Sequence, residues 1–203
     1  MIFRLTNSPA TFQGFMNHIL KPLINQGHVN FYMDNILVFT NTIEGHREIV
    51  KEVLRILQEN ELFLKPEKCS FEKDHIDYLG IIVGNGTVKM DPKKVESVQN
   101  WPTPEKKRDV QSFLGFCNFF RCFIKDFSAI ARPLSQLTGI SEWKWTNTEN
   151  NAFESLKRRI MDDVTLVIPN DNGKFRVEAD SSNFANGAVL SQQVDGKWRP
   201  VAF

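Results

Sequence analysis

Residues 29–40 read VNFYMDNILVFT. Two short apolar runs, Val29 to Met33 and Ile36 to Thr40, flank Asp34-Asn35. A two-residue polar break between apolar runs is the pattern of a tight β-hairpin. The spacing therefore places Asp34 at a hairpin tip, where little backbone surrounds the carboxylate. Taken alone, an aspartate in that position is a good turn former and nothing more. Its neighbours decide whether it has a second role.

Upstream, Ser8-Pro9 reads as an N-cap followed by proline at the first helical position. Phe12, Phe15, Met16, Ile19, Leu20 and Leu23 then recur at helical spacing, and Gly27 ends the stripe. The helix begins almost at once, as though a preceding segment had been removed. Downstream, Thr42 is placed to cap a helix carrying Ile49, Val53, Leu54, Ile56 and Leu57. Segments 62–64 and 69–71 read as short strands. Residues 77–83 and 87–90 read as a second hairpin joined through Gly84-Asn85-Gly86. Asp91-Pro92 opens a helix toward Trp101, and Thr103-Pro104 opens another through Phe113, Leu114, Phe116, Cys117 and Phe120. Thr146 caps a helix to about Met161. After Pro169 the pattern turns to strands at 175–179, 187–193 and 197–203, the last two joined by Asp195-Gly196. A sheet that stops after three strands reads as incomplete.

Bulk properties limit the class without naming it. The chain has 203 residues, 41% hydrophobic and 24% charged, which suits one large or two small globular domains. Net charge is +1, so no global field marks a polyanionic partner. Locally, residues 89–132 hold nine Lys or Arg against five Asp or Glu. That excess suits a phosphate-facing surface and equally suits solvated helix faces. Cys69, Cys117 and Cys122 are odd in number and lack a second Cys or His pair at ligand spacing, which points to reduced thiols in core packing and away from a disulfide framework or zinc. The opening MIFRLTNSPATFQ is not a charged-then-apolar leader, and apolar runs stay well under about 18 residues. An intracellular, non-membrane location is expected.

The motifs carry a family resemblance. FYMDNILVF resembles the tyrosine-x-aspartate-aspartate hairpin of reverse transcriptases. MIFRLTNSPATFQ is similar to the nucleotide-side motif and following helix of the gypsy class of long-terminal-repeat retrotransposons. HIDYLGIIVGNGTVKMDPKKVESVQNWPTP is similar to that class's primer-grip hairpin and the approach to its thumb, and VQSFLGFCNFFRCFIKDFSAIARPLSQL to its thumb helices. FRVEADSSNFANGAVLSQ is similar to the first strands of its ribonuclease H domain. The five matches are collinear along nearly the whole chain.

The resemblance implies an α+β chain: a partial reverse-transcriptase palm with hairpins and helices at 1–90, a thumb-like helical region at 91–140, a linker and helix at 141–171, and a truncated ribonuclease H-like sheet at 172–203. It implies RNA-directed DNA synthesis, in which a primer 3′-hydroxyl attacks a nucleotide α-phosphate and two Mg²⁺ ions stabilise the attacking and leaving oxygens. Mg²⁺ takes oxygen ligands, so carboxylates must converge on it. Asp34 matches the first aspartate of the hairpin pair and Asp180 the first catalytic aspartate of ribonuclease H; each would be a metal ligand. Phe3, Gln13 and Tyr32 would lie on the nucleotide and primer side, and Tyr78, Leu79 and Gly80 in the primer grip. The implied partners are an RNA–DNA hybrid or primer-template, with a nucleotide in the full-length family. Oligomeric state is not implied.

The sequence departs from the family at instructive places. Asn35 stands where the family has its second aspartate, and a neutral amide is a poorer Mg²⁺ partner. Ile2 and Arg4 replace a usual proline and glycine. One tip carboxylate cannot hold two divalent ions against water, so this chain is expected not to polymerise by itself. Three readings stay open: a fragment of an enzyme, a noncatalytic hybrid-binding relic, and a drifted reading frame. Phe119, Phe120 and Cys122, in place of family tyrosines and an arginine, are compatible with the last.

Overall fold

A computed structural model describes residues 6–140, 142–182 and 185–203, and the chain divides into two compact units, Met1–Asp74 and His75–Phe203. In the first unit, helix α1 (Ser8–Ile19) carries Pro9 in its first turn, and Asn7 is the N-cap, one residue before the expected cap Ser8. The apolar stripe expected as one helix is two. Pro22 has no N–H to continue the hydrogen-bond ladder, so the helix breaks at Leu20 and restarts as α2 (Lys21–Asn25). Gly27, at φ +71, then turns the chain.

Strands β1 (Val29–Tyr32) and β2 (Asn35–Val38) form the expected hairpin, with Tyr32 paired to Asn35. The turn is therefore Met33-Asp34, one residue earlier than the polar break at Asp34-Asn35 suggests. Strand β1 alternates strictly: Val29 and Phe31 are buried, Asn30 and Tyr32 exposed. Its inner face meets Met16, Leu20 and Leu23 from the first helices and Val53, Ile56 and Leu57 from α3 (Ile43–Glu59). Thr42 caps α3 as expected, accepting from the Gly45 N–H at 3.2 Å. The outer face of α3 is laced by ion pairs, among them Arg55 with Glu52 and Glu59.

Segments 62–64 and 69–71, expected as strands, are not strands. Only a 3₁₀ turn, Pro66–Lys68, lies between them, and Phe63 stands 93% exposed. Isolated apolar residues with no strand alongside to complete a ladder do not make a sheet. The segment is tied down instead by Arg47, which donates to Glu72 at 2.7 Å.

The second unit opens with an antiparallel sheet of β3 (His75–Tyr78), β4 (Ile81–Gly84), β5 (Thr87–Met90) and β6 (Thr165–Val167), in that order. The run expected as a single strand at 77–83 is two strands around a turn at Leu79-Gly80. Strand β6 has no counterpart in the sequence reading. It is three residues long, returns from far downstream, and pairs Leu166 with Val88.

Helices α4 (Pro92–Gln99), α5 (Lys107–Phe119), α6 (Phe127–Leu137) and α7 (Asn147–Met161) build the core beside this sheet. Asp91 caps α4 as expected, accepting from the Lys93 N–H at 2.9 Å. Helix α5 starts at Lys107 and not at Pro104, which is buried in the preceding extended segment. Phe113 and Phe153 meet with ring centroids 4.6 Å apart, and Trp101 packs against Phe113 and Phe116. Trp101 is thus a packing residue. All three cysteines are free, and burial pushes the Cys117 thiol up to about 12.

Strands β7 (Phe175–Ser181), β8 (Asn186–Val194) and β9 (Lys197–Ala202) form the final antiparallel sheet. The β8–β9 turn is Asp195-Gly196 at φ +52 and +75, the two-residue geometry that its sequence predicts. Fully buried Gln192 joins this sheet to the segment before it: its amide donates to the Asn170 and Asn172 carbonyls and accepts from the Asn170 N–H. The Phe203 N–H donates to the Cys122 carbonyl at 3.0 Å, which ties β9 to the helical core. No helix among the described residues is long and apolar enough to cross a membrane.

Candidate functional site

At the tip of the first hairpin Asp34 is exposed, as are Asn35 and, at 53%, Tyr32. Among the described residues nothing hydrogen-bonds to the Asp34 carboxylate, which is free to meet a ligand. Beside it Met33 sits at φ +55, in a region that costs a side-chain-bearing residue roughly 1–2 kcal/mol. Gln13 reaches this tip from α1. Its Oε1 accepts from the Met33 N–H at 2.7 Å, and its Nε2 donates to the Phe31 carbonyl at 3.0 Å and to Asn17 Oδ1 at 3.1 Å. The edge contact of Phe12 with Phe31, centroids 6.0 Å apart, keeps α1 against the same strand. The first unit therefore brings together Gln13, Tyr32 and Asp34 from the expected residues. Phe3 lies outside the described residues.

In the second unit Tyr78, Leu79 and Gly80 occupy one hairpin tip. Tyr78 pairs with Ile81, and Leu79 and Gly80 between them have φ +56 and +82. Two successive positive φ values are the demand of a type I′ turn. They account for the glycine, since a Cβ at Gly80 would meet only Lys94 Cε at 3.8 Å. Leu79 is held at 39% exposure on the tip, an apolar side chain offered to solvent. The Tyr78 hydroxyl is the reverse case. It is buried without a hydrogen-bond partner among the described residues, and burial holds its pKa above the usual tyrosine value.

Asp180 lies near the end of β7, paired with Gly187 on β8, and is exposed. It opens onto a cleft of about 1120 Å³ whose other wall carries Arg121, Lys125 and Asp126. Arg121 and Lys125 belong to the basic segment 89–132, and the fold sets them opposite Asp180. Nothing local signals that juxtaposition, because residues far apart in the chain form the two walls. Glu178, near Asp180, is engaged by Arg176 at 2.8 Å.

The acids at these sites do not amount to a full Mg²⁺ site. Each unit supplies one of the expected carboxylates, and no group of three or more His, Cys, Asp or Glu suited to a metal occurs among the described residues. The donor set present among the described residues does not fit a two-ion centre by itself.

Residues 3–83 match the family described as reverse transcriptase (RNA-dependent DNA polymerase), and residues 145–203 match the RNase H-like domain found in reverse transcriptase. The chain is 39% identical over 207 residues to the retrovirus-related Pol polyprotein from transposon 297 of Drosophila melanogaster, covering 100% of this chain and 19% of that polyprotein. It is 32% identical over 205 residues to the transposon Tf2-7 polyprotein of Schizosaccharomyces pombe, covering 100% of this chain and 15% of that one. Among solved structures it is similar to the foamy viral protease-reverse transcriptase dRH in complex with ds DNA, with TM-score 0.83, 25% identity, and coverage of 96% of this chain and 34% of that one. The chain belongs to the reverse transcriptase and ribonuclease H-like region of retrotransposon polyproteins, as its collinear motifs implied. It spans less than a fifth of the length of these two curated relatives.

Proposed function

We propose that this chain supplies the palm tip, primer grip and thumb of a retrotransposon reverse transcriptase, together with the first sheet of its ribonuclease H domain. Its partner is then a primer-template or an RNA–DNA hybrid. In the whole polyprotein the chemistry is RNA-directed DNA synthesis, with Asp34 and Asp180 each contributing one Mg²⁺ ligand, and the setting is intracellular. The observation that carries this reading is the exposed Asp34 on a tight turn, without a hydrogen-bond partner among the described residues, beside exposed Tyr32. Support for the partner comes from a relative of the same fold, the foamy viral enzyme, whose structure is a complex with double-stranded DNA.

A second reading has its own observation. Asn35 follows Asp34 at the tip, so the chain is short of a carboxylate where the family chemistry needs one. On that reading the chain holds a hybrid without chemistry.

A pair of measurements tests both. On a primed RNA template with Mg²⁺, the purified chain is expected to show no nucleotide incorporation above a buffer control; incorporation would overturn the second reading and the acid count behind it. Binding of a labelled RNA–DNA hybrid is expected to be weak and to fall steeply between 50 and 200 mM salt, by roughly 10-fold or more if a few phosphates are neutralised. Binding that ignores salt, or no binding at 50 mM, would sink the duplex-partner proposal.

A further inference from the structure

The first hairpin's tip is held by a side chain from outside the hairpin. Gln13 Oε1 accepts from the Met33 N–H and Gln13 Nε2 donates to the Phe31 carbonyl. Both partners are backbone groups of fixed polarity, so the amide has only one productive orientation. The other Nε2 bond, to Asn17, leaves neither amide hydrogen for a ligand.

The N–H that Gln13 captures belongs to the residue at φ +55. Met33 lies in the two-residue turn, outside the Tyr32–Asn35 pair that closes the ladder, so the ladder itself does not fix it. The next residue is Asp34. A change of backbone torsion at Met33 redirects the Asp34 Cα–Cβ bond, whereas the strands below can stay as they are.

We propose that Gln13 is a positioning residue. It selects the left-handed backbone at Met33 and so sets the direction of the Asp34 carboxylate, without touching nucleotide or primer. This rests on the reading of Asp34 as the functional acid of the tip. It deepens that reading by assigning the origin of its aim to a helix side chain. The apolar partner face of β1, through Phe31, sets the register; Gln13 sets the turn.

The test is amide hydrogen exchange and chemical-shift mapping on the isotope-labelled 203-residue chain. Three forms are compared: wild type, Gln13→Leu, and Gln13→Leu with Met33→Gly. Leucine keeps the size of the side chain and removes both hydrogen bonds. Glycine adopts positive φ without help. In Gln13→Leu the Met33 amide is expected to exchange roughly 10-fold faster, the loss of about one hydrogen bond. The Phe31 and Val38 ladder amides are expected to keep their wild-type rates. Adding Met33→Gly is expected to return the Asp34 and Asn35 amide shifts toward wild type. Unchanged Met33 exchange would overturn the proposal, as would equal acceleration of the ladder amides, or a glycine variant that restores nothing.

A separate arm addresses the underlying reading. A 12-base-pair RNA–DNA hybrid is added to wild type, and shifts at residues 32–35 are expected. If the tip does not respond, the functional reading of Asp34 fails, and the exchange data still decide whether Gln13 holds the turn.

Discussion

Met33 at φ +55 and Leu79 at φ +56 place side-chain-bearing residues in left-handed backbone at two of the hairpin tips. Such positions favour glycine, asparagine and aspartate, and Asn85-Gly86 and Asp195-Gly196 at the other two-residue turns obey that preference. The two departures coincide with the two tips proposed to face nucleic acid. Strain of this kind persists only where surrounding contacts impose it. At Met33 the Gln13 bond supplies the constraint; at Leu79 the Tyr78–Ile81 pair and Gly80 do. The Tyr78 hydroxyl shows the opposite imbalance, a buried polar atom with nothing to bond among the described residues. Tyr78→Phe removes that penalty and is expected to raise stability by up to about 1 kcal/mol in urea unfolding. A loss of 1 kcal/mol or more would show that the hydroxyl has a partner after all.

At the level of elements, three helix caps were legible, while the starts expected at Ser8 and Thr103-Pro104 fell elsewhere and register was not legible. Thr42, Asp91 and Thr146 each cap the helix that their sequence context predicts, because a cap needs only its own side chain and an N–H two or three residues on. Thr146 and Glu149 form a reciprocal capping box at the start of α7, and this helix carries Phe153, Leu156 and Ile160 into the core. Thr146→Ala is expected to destabilise the second unit by about 1 kcal/mol. Thermal unfolding by circular dichroism checks this, and an unchanged midpoint would mean that packing alone holds the helix start. Strand limits fared worse. The run at 77–83 looked like one strand because Leu79 is apolar and the turn has only one glycine, while the ladder shows a sharp reversal there. Segments 62–64 and 69–71 had the composition of strands but no neighbour to pair with.

Across the molecule, the second unit is organised by residues that meet from distant parts of the chain. Phe153 from α7 touches Phe113 from α5, and Lys157 donates to the Trp101 carbonyl while lying 5.1 Å from the Phe153 ring centroid. Phe153→Ala is expected to cost the second unit about 3–5 kcal/mol. The first unit has its own core around Met16, Leu20 and Phe31, so its hairpin amides are expected to keep their exchange protection in that variant. Loss of protection in both units together would show that they unfold as one. The α+β class, the order of helices and hairpins, and the family itself were all legible, since hydrophobic period, caps and collinear motifs are local properties.

What the sequence alone determined was that an acid stands on a tight reversal between two short strands, that capped helices follow, and that a small sheet closes the chain. Tertiary structure decided the rest. It put the first turn at Met33-Asp34 with a glutamine from helix α1 bonded to it, completed a four-stranded sheet with the three residues Thr165–Val167, and set Arg121 and Lys125 across a cleft from Asp180. The physical reason is range. A cap or a hydrophobic stripe is satisfied within a few residues. A turn held from outside, a strand too short to form without its ladder partner, and a cleft with two remote walls exist only once the chain has folded back on itself.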